Sequence, residues 1–136
     1  MRAISRGGLV LVVLATVGLA ACDNTVNDLP VTPTPTQTTE TFTGTIGQNG
    51  AATHSFIVAA SGTVTATLTD ISPADAVAGL SIGTWNGAAC QVVLVKDDAV
   101  KGFAMSGSVA GIGTLCVRVA DTGKLVGSTD YTLTVV

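Results

Sequence analysis

From residue 41 to the end of the chain, apolar and polar side chains alternate with a period of two. Phe42, Gly44 and Ile46 share one side of an extended segment, and Thr41, Thr43 and Thr45 the other. His54, Phe56 and Val58 repeat the pattern. Val64, Ala66 and Leu68 then alternate with Thr63, Thr65, Thr67 and Thr69, the clearest half-buried strand in the chain. Leu80 and Ile82 follow, then a more continuous apolar run over 89–95. Phe103, Met105, Gly107 and Val109 alternate with Ala104, Ser106 and Ser108. Leu115, Val117 and Val119 flank Cys116 and Arg118, and Tyr131, Leu133 and Val135 come last. Period two is the signature of a strand with one buried face. About eight such segments near ten residues apart predict a sandwich or barrel.

The punctuation agrees. Asn86-Gly87 sits between two strand patterns and predicts a type I′ hairpin. Asn49-Gly50 marks a longer loop, and Ser61-Gly62, Ser72-Pro73, Lys101-Gly102 and Gly111-Ile112-Gly113 mark further turns. Only residues 74–79, ADAVAG, suit a helical turn.

Composition sharpens the class. Charged residues are 11 % of the chain and aromatics 4 %, while the 136 residues include 16 glycines and 21 threonines. So few charges argue against a long solvated helix, a coiled coil or a charge-driven disordered chain; threonine and valine favour strands. A net charge of −3 argues against a nucleic-acid binder, which needs a basic face to neutralise phosphates.

Ahead of the strands lie two segments of another kind. Residues 1–22 carry Arg2 and Arg6, then a charge-free run from Leu9 to Ala21. As a helix, that run would reach roughly 20 Å, short of a ~30 Å hydrocarbon core, so it reads as a signal-peptide h-region. Residues 23–40, DNTVNDLPVTPTPTQTTE, hold Pro30, Pro33 and Pro35 and no aromatic. They have too little apolar surface to fold and favour extended polyproline II, a tether of up to about 50 Å. The expected organisation is 1–21 signal peptide, 22–40 linker and 41–136 a single β domain.

Two resemblances add to this. Leu19-Ala20-Ala21-Cys22 resembles a bacterial lipobox, the processing motif of exported lipoproteins. It implies cleavage before Cys22, a diacylglyceryl thioether on that residue and acylation, such as palmitate, of the new amino group. Two or more acyl chains anchor stably where one holds only marginally. Asp23 resembles an inner-membrane retention signal of enterobacterial lipoproteins, a rule that does not extend to all bacteria, and the leaflet stays open. The order F-x-G-x-I, H-S-F-x-V and S-G-T-V-T-A-T-L over 42–68, the Trp85-Asn86-Gly87 hairpin, G-T-L-C-V-R-V at 113–119 and D-Y-T-L-T-V at 130–135 resembles the bacterial pre-peptidase C-terminal (PPC) domain. That family implies a single antiparallel, jelly-roll-like β-sandwich. The chain departs from it in having no peptidase upstream and in carrying two cysteines within the domain.

With Cys22 lipidated, Cys90 and Cys116 remain, and in an exported protein an even pair implies a disulfide. Cys116 lies between the inward positions Leu115 and Val117, so it should point outward. The bond is expected on a sheet surface or between neighbouring strand edges.

Candidate chemistry is sparse. His54 is the one histidine and Glu40 the one glutamate. A Ser-His-Asp arrangement would have to be built on His54; sharing a face with Phe56 and Val58, it reads instead as a partly buried strand-end residue. No cofactor is expected, zinc lacks ligands, and Asp97 and Asp98 are the best pair for calcium, without the D-x-D-x-D-G spacing of a calcium loop. Trp85, at a hairpin tip, could stack on a sugar or anchor an interface. These readings predict a non-catalytic envelope module, lipid-anchored to a membrane and facing the periplasm or exterior, with an interaction or structural role toward an envelope protein or glycan. The alternative is a carbohydrate- or peptide-binding module using Trp85 and adjacent loops.

Overall fold

The computed structural model describes Thr34 and residues 36–136. Cys22 and the segment resembling a lipobox lie outside the described residues.

Eight strands follow one another: β1 (Glu40–Ile46), β2 (Ala51–Val58), β3 (Gly62–Ser72), β4 (Ala78–Trp85), β5 (Cys90–Ala99), β6 (Ala104–Val109), β7 (Gly113–Ala120) and β8 (Thr129–Val135). They form two four-stranded antiparallel sheets, β1-β8-β3-β6 and β2-β7-β4-β5. Each sheet alternates early and late strands, as a long antiparallel ribbon does when it is rolled up on itself; this is the jelly-roll order. The expected all-β sandwich of about eight strands is the observed fold.

The period-two faces meet between the sheets. Leu68, Leu133, Val117, Val119, Leu80 and Ile71 are almost fully buried there. On the outer face of the first sheet the threonines face solvent and bond neighbouring hydroxyls, Thr69 to Thr134 and Thr65 to Ser106, each at 2.8 Å. A strand needs one greasy and one wet face in such a sandwich, and the Thr/Val alternation supplies both.

Two local expectations are corrected. Residues 73–77 make a reverse turn closed by the Ala76 N–H to the Pro73 carbonyl at 2.9 Å, and Ala78 and Gly79 already belong to β4, so 74–79 is not a helical turn. The β4–β5 connection is the four residues Asn86–Ala89, not a two-residue type I′ turn. Only Gly87 takes a positive φ there (95°), and the Asn86 carboxamide oxygen accepts the N–H groups of Ala88 and Ala89. A side chain that caps its own loop gives the hairpin a route other than two left-handed residues.

Candidate functional site

The densest piece of chemistry is the corner where β4 hands over to β5. Cys90 and Cys116 are bonded, with S–S 2.05 Å and Cα–Cα 5.7 Å. In register, Cys116 lies opposite Gly83 and Cys90 opposite Trp85, so the bond sits on the outer face of the second sheet and passes over β4. It joins strands that flank a third rather than neighbours. The start of β5 must therefore lean over β4, and a bulge between Ile82 and Gly83 provides the bend. Gly83 is where the backbones touch: a Cβ there would stand 2.1 Å from the Gln91 carbonyl oxygen. Cys116 points outward, as its neighbours require, yet it is wholly buried beneath this overpass. A glycine inside a strand pattern is the sequence signal for such an approach. Trp85 closes β4 beside the bond, half-buried and flanked by the exposed loop Asn86–Ala89.

His54 is the fourth residue of β2, in mid-strand and not at its end. Its ring stacks on Phe42 of β1 with centroids 4.8 Å apart, and Nε2 lies 2.7 Å from the Tyr131 hydroxyl of β8. The tautomer decides which of the two donates. Burial disfavours imidazolium and holds the histidine below its ordinary value; the same burial raises the Tyr131 phenol. Gly44 makes room for the phenol, because a Cβ there would meet Tyr131 Oη at 2.5 Å. The residue is thus part of a bond between the sheets, and among the described residues its side-chain hydrogen bond is to Tyr131. Sequence alternation put His54 and Tyr131 on inward faces but carried no sign that they meet.

The carboxylates of Asp70, Asp98, Asp121 and Asp130 are engaged locally. Asp98 pairs with Lys96 at 2.6 Å, a contact that lowers its proton affinity, and Lys96 Nζ lies 5.8 Å from the centre of the Phe103 ring. Asp97 next to it offers its backbone carbonyl to the Thr122 hydroxyl at 2.9 Å. Both belong to β5, and no group of three metal-ligating residues gathers among the described residues. Asp121 was not singled out by spacing, yet it organises two loops: Oδ2 accepts the Asn49 N–H, and Oδ1 accepts those of Gly123, Lys124 and Leu125. Those donors, Asn49 first, hold its carboxyl below the ordinary range. Asn49, at φ 57°, is the one non-glycine described residue with a left-handed backbone.

Two surface features remain. β5 is an outermost strand whose free edge no described strand pairs, and Val93 and Val95 are 70 % and 63 % exposed. At the end of the sandwich where the chain enters β1, a cleft of about 440 Å³ is lined by Thr36–Thr38 and Glu40, by apolar side chains such as Phe56, Val58 and Val64, and by Val135 and Val136. Against known proteins, no family model matches the chain, and no curated protein matches it in sequence.

Proposed function

We propose that the chain is an exported bacterial lipoprotein whose PPC-like sandwich is held outside the cytoplasmic membrane by acyl chains on Cys22, as a non-catalytic interaction or structural module of the envelope. One observation carries the reading: Cys90 and Cys116 are spent on each other. Of three cysteines, that leaves Cys22, at the end of Leu19-Ala20-Ala21, as the one outside that bond. A buried structural disulfide suits an oxidising compartment, and a following Thr/Pro tether suits a domain held off a membrane. The histidine, the reactive group a hydrolase would build on, is occupied by Tyr131 and Phe42.

The test is the mass and partition of the full chain expressed in a lipoprotein-processing bacterium. A polypeptide that begins at Cys22, carries acyl mass and sediments with membranes is expected. Globomycin, which blocks the lipoprotein signal peptidase, should preserve the precursor, and Cys22→Ser should release the protein from membranes. An unacylated wild-type chain would end the reading.

The exposed β5 edge favours a second reading, a peptide-binding module beside Trp85. An unpaired strand edge with β-branched apolar side chains can accept an added strand. Amide shifts confined to β5 and Trp85 on titration with an extended, valine-rich peptide would support it, and no shifts at millimolar peptide would sink it.

A further inference from the structure

The connections of the sandwich divide between its two ends. At the end where β1 begins lie the loops 59–61 (AAS), 86–89 (NGAA) and 110–112 (AGI), together with Val136. No residue of those loops is charged. At the far end lie 47–50, 73–77, 100–103 and 121–128, with Asp75, Lys101, Asp121 and Lys124. The charged residues of the strands, apart from Glu40 and the mid-strand Arg118, sit on their far-end portions. The entry end also shows bare hydrocarbon. Ile57, opposite Thr114, is 76 % exposed, and Ile112, two residues before Thr114, is 80 % exposed.

We propose that this entry end, whose loops carry no charge and whose one charged side chain among the described residues is Glu40, is the face on which the domain rests against a phospholipid bilayer. The inference builds on the anchored reading above. The occupant follows from where the chain leads: Thr36–Thr38 run along this end, so the tether to Cys22 departs from it. An anchored chain presents its point of attachment to the lipid first. Bringing that end into the interface strips water from no loop charge and covers isoleucines that otherwise stay wet. Turning the other end down would press six acidic and three basic groups toward an anionic surface. Two isoleucines alone bind a membrane weakly; the tether supplies the effective concentration that makes the contact frequent.

The chain carries its own reporter. Trp85 is the one tryptophan and it adjoins the loop 86–89 of the entry end. The full chain, as processed by a lipoprotein-producing bacterium, is reconstituted in vesicles of phosphatidylcholine and anionic phosphatidylglycerol containing a lipid spin-labelled near its headgroup. Trp85 fluorescence should be quenched relative to unlabelled vesicles. Ile57→Asp combined with Ile112→Asp should restore it, each change lowering the contact population on the order of tenfold, while Val126→Asp at the far end leaves quenching unchanged. Both sites are exposed, and thermal melts of the variants verify that the fold is kept. Flotation and intact mass separate the two ideas. A chain that is acylated and floats with the vesicles yet shows no quenching, or quenching indifferent to the isoleucines, overturns the resting face and leaves the anchor standing. If the mass shows no acyl group, the anchor reading falls, and the same quenching is read after coupling the full chain through Cys22 to a maleimide lipid; absence of quenching there overturns the resting face as well.

Discussion

Breaking the Cys90–Cys116 bond has a calculable cost. The two residues are 26 apart in sequence. In the chain-entropy view, opening a loop of that length returns about 3.5 kcal/mol of freedom to the unfolded state. For a domain of this size, 1 kcal/mol corresponds to roughly 4–8 °C in melting temperature, so the bond should be worth about 15–25 °C. That is a large share of a total stability expected at about 5–15 kcal/mol. The structure adds a second contribution that the loop formula omits. The bond holds the first residues of β5 over Gly83, and without it nothing covalent keeps that overpass closed above the buried Cys116. The cost should therefore equal or exceed the entropic figure.

The assay compares the oxidised domain with the Cys90→Ala/Cys116→Ala double variant, which removes both sulfurs and leaves no lone thiol. Thermal melts by far-UV circular dichroism give the temperature shift, and urea titration gives the free energy at 25 °C. A fall of about 3–4 kcal/mol or more, with the β-sheet spectrum retained, is the expected result. A double variant melting within a few degrees of the parent would refute the reasoning, since it would mean that the strands flanking β4 hold each other without the bond.

Three further outcomes follow from named contacts. Gly83→Ala places a Cβ against the Gln91 backbone at 2.1 Å, a clash no rotamer relieves, and should cost about 1–3 kcal/mol in urea titration, as overpacking does; an unchanged midpoint would show that β5 yields freely. His54 has its proton affinity lowered by burial, so the unfolded chain binds its proton first, and stability present above pH 6.5 is lost as the pH falls below that value toward the lower folded one. Melts between pH 7.5 and 5 should decline, and His54→Gln, which can still bond Tyr131 but does not titrate, should flatten the decline; an equally steep slope in that variant would place the cause elsewhere. Val93→Lys with Val95→Lys charges the open β5 edge and should reduce concentration-dependent association in sedimentation velocity, while shifting stability by no more than about 0.5 kcal/mol per residue; association that persists unchanged would clear this edge of responsibility.

The strands were legible because a sandwich imposes one rule on every position: inward or outward. Val64, Ala66 and Leu68 against Thr63, Thr65 and Thr67 obey it to the residue. The rule fails where a position is governed by a neighbour far along the chain. Cys116 faces outward by parity and is buried all the same, because β5, 26 residues away, lies over it. The run 89–95 announces a strand but no side, since its apolar residues occupy both faces; only the strand order reveals that it is an exposed edge. His54 and Tyr131, 77 residues apart, belong to different sheets, and alternation says nothing about which inward residues touch. Asp121 is equally silent in the sequence, because its four N–H donors come from two separate loops.

Charge gives the same lesson at the scale of the whole domain. Along the chain, acidic and basic residues run from Asp70 to Asp130, densest over 96–101, with uncharged turns between them. Folding sorts them. Because neighbouring strands run antiparallel, successive connections alternate between the two ends of the sandwich. The connections after β2, β4 and β6 thus share one end with the start of β1, and those after β1, β3, β5 and β7 share the other. A linear sequence in which every second turn is charge-free becomes a body with one end whose loops carry no charge, where Glu40 of β1 is the one charged side chain, and one ionic end. Inserting a single residue within a loop leaves this sorting intact, whereas moving a lysine or aspartate from one turn to the next transfers it across the length of a strand. Ala59→Asp or Ala110→Asp would put a carboxylate on the end from which the tether leaves, at an exposed position and with little expected effect on folding. If the polarity of the ends matters to how the domain is held, these two changes should alter vesicle contact while thermal melts stay within a degree or two of the parent, and equal substitutions at Ala74 or Ser128 should do neither.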